Sequence, residues 1–218
     1  MEKVLTADKS ETFLNEEVGE SYHSFTGAVE EALKKFVEPT KIKEIAKKGE
    51  IKILDVCFGL GYNSAMAITV ALQENPDCKI EIVGLEKEIE IIKKIQEVNP
   101  EIEYYKNYKL LTKENLSFTK ENVIVKVLLG DAKEQVKKLS ENYFDAVLFD
   151  PFSPKTAPGM WTADFFESVK RVMRVGAILA TYSCARMVRD NMVKAGLEYF
   201  DGPKVGRRGP GTIAIKNG

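Results

Sequence analysis

Four carboxylate residues stand directly after short apolar segments of the sequence: Asp55, Glu86, Asp131 and Asp150. An ionised carboxylate accepts hydrogen bonds more strongly than a neutral side chain. It can therefore bind both hydroxyls of a ribose or the exocyclic amine of adenine. Any one of these residues is as consistent with a helix cap or a solvated loop. Four of them at the ends of successive segments predict one edge that binds a nucleoside.

A glycine-rich turn follows Asp55, and a helical pattern begins after it at Asn63. Gly59 and Gly61 let the backbone approach a ligand that a Cβ atom would exclude. Ser64 occupies the position of the third glycine in a dinucleotide-binding fingerprint, so the turn favours S-adenosylmethionine over a dinucleotide. The predicted cofactor-binding residues are Asp55, Phe58, Gly59, Gly61, Asn63, Glu86, Asp131 and Asp150.

The loop that starts at Asp150 carries the predicted chemistry. Its sequence, Asp-Pro-Phe-Ser-Pro over 150–154, is stiffened by two prolines and places an aromatic ring beside the carboxylate. An alkyl ammonium with a pKa of about 10.4 is neutral in only about one molecule in 10³ at pH 7. Its nitrogen must lose a proton before it can attack a methyl group. Asp150 would accept that proton or orient the lone pair.

The elements that must position these residues alternate between strand and helix. Apolar runs with β-branched residues predict strands and 3.6-residue periodicity predicts helices. The predicted strands are 51–56, 80–85, 123–129, 144–149, 177–183, 197–200 and 211–216. The predicted helices are 63–74, 88–98, 131–139, 162–173 and 185–195. This order predicts an α/β, Rossmann-like fold: a mainly parallel seven-stranded sheet with helices on both faces and a C-terminal antiparallel hairpin.

The first 50 residues do not follow this alternation. They contain short strand signals around Thr12–Leu14, and then a helical pattern that Ser24 could cap, running to about Ala46 with a kink or split at Pro39. We expect residues 1–50 to be an N-terminal extension packed on a single catalytic domain, residues 51–218.

Charge is unevenly distributed along the chain. Residues 1–150 hold 21 Lys and Arg against 28 Asp and Glu, a balance of −7, whereas residues 151–218 hold 11 against 5, a balance of +6. This difference is consistent with chance segregation, but a basic C-terminal third also suits a polyanion such as nucleic acid. Lys204, Arg207 and Arg208 fall in the turn of the predicted terminal hairpin, where they could contact phosphates or simply be solvated.

Composition argues against several classes of protein: metal-binding, disulfide-rich, membrane-spanning and secreted. The chain of 218 residues has one histidine and three widely separated cysteines, so neither a metal cluster nor a disulfide framework is expected. No apolar run approaches the roughly 20 residues of a membrane span, and the first residues lack the apolar core of a secretory signal. These observations predict a metal-free protein of the cytoplasm. Nothing in the sequence demands an oligomer, so a monomer is expected, although the oligomeric state stays open.

The catalytic loop resembles the Asp/Asn-Pro-Pro-aromatic signature of amine methyltransferases. More of the chain, especially 150–161, resembles the methyltransferase domain of the MnmC family of tRNA-modifying enzymes. The resemblance includes Met160-Trp161, the run 179–183, the Gly-Arg-Arg turn at 206–208 and the N-terminal run 22–32. The family usually reads Gly-Phe-Gly-Thr-Gly in the cofactor turn and Asp-Gly-Phe-Ala-Pro in the catalytic loop, where this chain has Cys-Phe-Gly-Leu-Gly and Asp-Pro-Phe-Ser-Pro.

This resemblance implies methylation of the 5-aminomethyl group of wobble (2-thio)uridine 34 in tRNA, with S-adenosyl-L-methionine as donor. It makes Asp150 the catalytic carboxylate and implies a partner bound through its anticodon region. The implied substrate-binding or RNA-binding residues are Phe152, Lys155, Trp161, Lys204, Arg207 and Arg208. The chain has no room for the FAD-dependent oxidase of the bifunctional family members, which implies a stand-alone transferase.

Two other functions remain open at this stage. The same fold could transfer a methyl or aminopropyl group to a small amine or polyamine, which the acidic first 150 residues would suit. Alternatively, the chain could be a non-catalytic RNA-binding module whose cofactor site only stabilises it.

Overall fold

The computed structural model describes residues 1–24, 27–206 and 209–218. Its strands are β1 (Glu2–Leu5), β2 (Glu11–Asn15), β3 (Glu20–Ser21), β4 (Glu50–Val56), β5 (Lys79–Glu86), β6 (Ser117–Lys120), β7 (Val123–Leu129), β8 (Phe144–Phe149), β9 (Met173–Thr181), β10 (Glu198–Asp201) and β11 (Thr212–Ile215). Its α-helices are α1 (Ala28–Glu31), α2 (Ile42–Ala46), α3 (Tyr62–Glu74), α4 (Ile89–Lys94), α5 (Ala132–Gln135), α6 (Ala163–Val172) and α7 (Arg186–Lys194). A π-helical segment, Ala32–Val37, continues α1. The 3₁₀ segments are Ile95–Glu97, Glu103–Leu110, Val136–Lys138 and Pro158–Trp161.

The central sheet has eight strands in the order β10-β11-β9-β8-β4-β5-β7-β6. Its five middle strands, from β9 to β7, pair in parallel, and the strands at both edges pair antiparallel. Parallel strands need long crossovers, and the helices that supply them cover both faces. All five middle strands therefore direct their carboxyl ends to the same edge.

The core lies in two layers, one on each face of this sheet. Neighbouring residues of β4 enter different layers: Ile53 belongs to the layer under α3, and Leu54 to the layer under α6 and α7. Both side chains are completely buried. Burial on both faces explains why the middle strands read as continuous apolar runs.

The N-terminal residues form a second, three-stranded antiparallel sheet, β1-β2-β3, followed by α1. The N-cap residue of α1 is Gly27, so the prediction that Ser24 caps this helix is wrong. The predicted interruption at Pro39 is confirmed, because a turn separates the π-helical segment from α2. Phe13 and Phe36 join the same core layer as Ile53. The division at residue 50 stays a prediction.

The predicted fold class is confirmed, with one strand more than the seven expected. The additional strand, β6, pairs with the edge of β7. Its four residues, Ser-Phe-Thr-Lys, bury only Phe118. One apolar residue among polar neighbours gives too weak a signal to predict a strand.

Gly61 provides a test of how the turn before α3 is packed. Its φ of +74° lies in the left-handed region, and a Cβ atom there would stand 2.6 Å from Tyr108 Cε1 and 2.7 Å from Phe58 Cζ. We expect Gly61→Ala to lower the free energy of unfolding by about 2 to 4 kcal/mol, through backbone strain plus overpacking. Equilibrium unfolding in denaturant measures this change in the free energy of unfolding. Gly49→Ala is the control, since Gly49 has φ +89° and open space around it. Equal losses in the two variants would contradict the packing argument.

Candidate active site

A cavity of about 830 Å³ lies at the carboxyl ends of the middle strands. Its floor is formed by the turn after β4 and by residues that end β5, β7 and β8. Residues 14–24, around the β2–β3 hairpin, form the opposite wall. Among the described residues that line it, seven carboxylates stand against two lysines, so the cavity favours cationic groups. The carboxylates are Glu17, Glu20, Glu31, Glu86, Glu88, Asp131 and Asp150.

Glu86 is held rigidly at the end of β5. Its Oε2 accepts the N–H of Gly59 (2.8 Å), and its Oε1 accepts the N–H groups of Lys87 (2.7 Å) and Glu88 (2.8 Å). Burial raises the pKa of Glu86, and the three N–H donors oppose that rise. A carboxylate has about four lone-pair positions. Glu86 therefore keeps acceptor capacity toward the cavity, as ribose binding requires.

Asp131 begins α5 as its N-cap, with Oδ1 accepting the N–H of Lys133 (2.8 Å). Its side chain is exposed and lines the same cavity as Glu86. Capping and ligand binding are compatible, because Oδ2 has no hydrogen bond within the described chain. The adenine-binding role of Asp131 stays a prediction.

Asp55 and Gly61 are not among the residues that line the cavity. Asp55 is completely buried beneath the turn, and neither carboxylate oxygen has a hydrogen-bond partner among the described residues. Burial raises the pKa of Asp55 to about 7. The positive φ of Gly61 accommodates the rings of Phe58 and Tyr108. The cofactor contacts of Asp55 and Gly61 stay predictions.

Asp150 faces the cavity at the end of β8. Asn63 Nδ2 donates to Asp150 Oδ2 (2.9 Å), which joins the start of α3 to the end of β8. Asn63 also lines the cavity, and its Oδ1 is buried without a partner in the described chain. Burial, together with the negative charge of Glu31, raises the pKa of Asp150 well above its ordinary value. A carboxylate with a raised pKa is better matched to accept a proton near neutral pH.

The loop after Asp150 is fixed from two sides. Behind it, Trp161 Nε1 donates to the Phe152 carbonyl (2.9 Å), and the Tyr182 hydroxyl donates to the Pro151 carbonyl (2.9 Å). Trp161 is completely buried and supports the loop through this hydrogen bond, and its predicted role in substrate binding stays a prediction. Phe152 lines the cavity, 5.1 Å from the ring of Tyr22.

Glu20 holds the same loop from the N-terminal side. Its carboxylate accepts the N–H of Ser153 (2.9 Å) and the hydroxyls of Ser153 and Thr156. The sequence alone did not indicate this contact, because the two segments lie 133 residues apart. The N-terminal hairpin thus positions the catalytic loop as well as covering the cavity.

Two of the predicted cationic residues, Lys155 and Lys204, are not among the residues that line the cavity. Lys155 and Lys204 are exposed, as contacts to a large polyanion would require. Arg207 and Arg208 lie outside the described residues.

Glu31 and His23 also line the cavity. The sequence assigns no role to Glu31, and it predicts that His23 is a local hydrogen-bonding residue or part of the pocket rim. The signal for Glu31 was its helical spacing from Ala28, which places a carboxylate on a buried helix face. The His23 ring stacks on Tyr62 at 4.7 Å, and its Nδ1 is hydrogen-bonded to the Thr12 hydroxyl (3.0 Å). Burial lowers the pKa of His23 to about 4, so the ring is neutral at pH 7.

Across residues 1–24, 27–206 and 209–218, no three His, Cys, Asp or Glu side chains are grouped as metal ligands would be. Within the same ranges, none of the helices has both the length and the apolar character that a membrane crossing requires.

Comparison with known proteins identifies the family. A family profile described as "S-adenosyl-L-methionine-dependent methyltransferase" matches residues 93–217, more than half of the chain. The crystal structure of MNMC2 from Aquifex aeolicus superposes with a TM-score of 0.88 at 37% identity, over 98% of this chain and 70% of that one. The chain belongs to the MnmC-type family of S-adenosyl-L-methionine-dependent methyltransferases.

Relatives of greater length also match. An uncharacterized protein of Methanocaldococcus jannaschii is 29% identical over 98% of this chain and 59% of its own length. The "tRNA 5-methylaminomethyl-2-thiouridine biosynthesis bifunctional protein MnmC" of Leptospira interrogans is 25% identical over 94% of this chain and 34% of its own. The chain thus spans about three fifths and about one third of these two relatives.

The cofactor of the MnmC-type family is S-adenosyl-L-methionine, and the residues present fit it. Glu86 keeps free lone pairs toward the cavity, Gly59 adopts a φ of +56°, and the acidic lining suits a sulfonium and an ammonium group. The predicted cofactor is confirmed at the level of the family. The individual contacts remain predictions.

Glu86→Gln tests the predicted ribose contact. The amide keeps the size of the side chain but replaces one acceptor oxygen by a donor that faces backbone N–H groups. We expect the Kd for S-adenosyl-L-methionine to rise at least tenfold (~1.4 kcal/mol) in equilibrium binding measurements. Glu90→Gln, an exposed residue of α4 paired with Lys93, is the control. Unchanged affinity in Glu86→Gln would remove Glu86 from the cofactor site.

Glu20→Ala tests the contact between the hairpin and the catalytic loop. Loss of one acceptor frees the donors of Ser153 and Thr156, so the loop should sample unproductive positions. Misplacement of reacting groups by about 1 Å can cost about 10²-fold in rate, and we expect kcat to fall at least tenfold. Glu16→Ala, exposed on the same hairpin, serves as control. If both variants kept the wild-type kcat, the contact would have no catalytic role.

Proposed function

We propose that this protein methylates the 5-aminomethyl nitrogen of wobble (2-thio)uridine 34 in tRNA, giving 5-methylaminomethyl-(2-thio)uridine. The observation that carries the proposal is the Asp150–Asn63 pair on the wall of an acidic cavity. An alkyl ammonium needs a base to release its proton, and a cation is attracted to this cavity. The Leptospira relative is named for tRNA 5-methylaminomethyl-2-thiouridine biosynthesis, which supports the same product.

Different residues of the chain would bind the cofactor, accept the proton and stack on the base. Glu86, Asp131 and the turn at Gly59 would hold the cofactor, which supplies an electrophilic methyl group when bound. Asp150 would take one proton from the substrate ammonium or orient the nitrogen lone pair, while Asn63 fixes the carboxylate through its 2.9 Å hydrogen bond. Phe152 would offer a face for the planar base.

The C-terminal third would meet the RNA. Residues 151–218 carry a balance of +6 (11 − 5), and Lys155 and Lys204 are exposed. Phosphate contacts of such residues release counterions, so tRNA binding should weaken as salt increases. Contact with the anticodon region, a monomeric state and a cytoplasmic location belong to this proposal and await measurement.

Nucleoside mass spectrometry of tRNA tests the function. Substrate tRNA carrying the aminomethyl group is incubated with the protein and S-adenosyl-L-methionine, then digested to nucleosides. We expect one added methyl group on the wobble nucleoside. Methylation of free polyamines but not of tRNA would favour the small-amine alternative, which the acidic cavity also suits. Salt-sensitive tRNA binding without any methylated product would favour an RNA-binding module.

Asp150→Asn tests the role of the base. The amide retains the shape of the side chain but cannot accept the proton, so kcat should fall by about 10² to 10⁴-fold. The Kd for S-adenosyl-L-methionine should rise far less than kcat falls, because Asp150 is only one of several predicted cofactor contacts. Asp190→Asn, exposed on α7, is the control. Equal losses in turnover and in cofactor affinity would contradict a role restricted to the amine.

The pH dependence of kcat/KM is a second test of the proposed role of Asp150. The pKa of Asp150 is raised in the folded protein, so its carboxylate form is lost as pH falls through that raised value. We expect the acidic limb of kcat/KM to have its midpoint above the ordinary carboxyl pKa of 3.8. A limb at or below that value would contradict the assignment.

A further inference from the structure

Glu31 is a buried carboxylate on the wall of the same cavity. It ends α1 with a residue exposure of 6%. Its Oε1 accepts a hydrogen bond from Lys35 Nζ (2.5 Å), and its Oε2 accepts the N–H of Ser24 (2.9 Å). Lys35 is itself 3% exposed, so the ion pair is buried. Among the described residues, each oxygen of Glu31 has one hydrogen-bond donor, and a carboxylate oxygen can accept a second.

Glu31 acts on Asp150 through its charge. Apart from burial, it is the strongest influence that raises the pKa of the Asp150 carboxyl. Asp55, at the end of β4, raises it further, and Lys35 lowers it. Burial and the charges of Glu86 and Asp150 raise the pKa of the Cys57 thiol in the following turn. Glu31 and Asp150 line the same cavity and can therefore bind one ligand.

Asn63 adds a third acceptor on the same wall. Its Nδ2 is used by Asp150, and the remaining amide oxygen is buried without a hydrogen bond in the described chain. A buried acceptor without a partner costs about 1 to 3 kcal/mol. An alkyl ammonium carries three N–H donors. The three acceptors of Glu31, Asn63 and Asp150 match that number.

We infer that Glu31 is a specificity-determining residue that binds the substrate amine in its ammonium form, beside Asp150 and Asn63. The inference rests on the proposed function and adds how the amine is recognised before it reacts. One N–H bond of the ammonium then breaks, and the proton forms an O–H bond on Asp150. The electron pair stays on the nitrogen, which is then able to accept the methyl group. Glu31 stays hydrogen-bonded to Lys35 while the proton moves to Asp150.

Two nucleosides of nearly equal shape test this inference by equilibrium binding in the presence of S-adenosylhomocysteine. The charged probe is 5-aminomethyluridine, and the neutral probe is 5-hydroxymethyluridine. We expect Glu31→Gln to weaken binding of the charged probe at least tenfold and to leave the neutral probe within about twofold. Glu30→Gln is the matched control, because Glu30 is the adjacent residue of α1, exposed and paired with Lys34. It should change neither affinity.

The pH profile separates recognition from a merely structural role. Removing the negative charge of Glu31 should lower the pKa of Asp150, so the acidic limb of kcat/KM should move to lower pH. A variant that only loosens the fold would lower the melting temperature without moving this limb. Equal weakening of both probes, or an effect matched by Glu30→Gln, would overturn the inference.

Glu31→Gln leaves Lys35 buried without its partner, which could prevent folding. The double variant Glu31→Gln/Lys35→Met removes both charges and keeps similar volumes. Loss of discrimination between the two probes in this variant supports the inference, and wild-type discrimination overturns it. If Glu31→Gln abolishes discrimination between the two probes but the wild-type protein leaves tRNA unmethylated, the proposed function alone is rejected. Methylated tRNA with unaltered amine binding in Glu31→Gln would reject this inference alone.

Discussion

The cost of burying negative charge shapes this site more than any other interaction. Glu31, Asp55 and Glu86 are buried, Asp150 is half-buried, and a carboxylate out of water is stable only when fixed dipoles or cations replace its hydration. Glu86 has three N–H donors and Glu31 has a lysine, whereas Asp150 has one amide. The compensation is incomplete, so a cationic cofactor and a cationic substrate are what this cavity stabilises best.

The N-terminal residues cover one side of the cavity at the carboxyl ends of the middle strands. Without them, the ends of β4, β5, β7 and β8 would face solvent, and charge interactions across the cavity would be weak. The β2–β3 hairpin brings Glu20 to the catalytic loop, and α1 brings Glu31 to the cavity. Covering the edge therefore supplies both the low dielectric that raises the pKa of Asp150 and the contacts that hold its loop in place.

The sequence predicted most of this architecture because the middle strands are buried on both faces. The bounds of β7 and β8 agree residue by residue with the predicted 123–129 and 144–149. The sequence could not separate residues that line the cavity from their neighbours: Asp55, Gly61 and Trp161 are predicted ligand contacts, but they are not among the lining residues. Nor could it bring Glu20 or Glu31 to the site, because their partners depend on how the first 50 residues fold over the sheet.

The most direct test of the account is a crystal structure with sinefungin, a cofactor analogue in which a carbon replaces the sulfonium sulfur and an amino group on that carbon replaces the methyl group. The amine reports where the transferred methyl group would lie. We expect its nitrogen within hydrogen-bond distance, about 3 Å, of Asp150 or of the Asn63 Oδ1, with the ribose hydroxyls bound to Glu86. An amine directed away from Asp150, or a ribose bound elsewhere, would contradict the account.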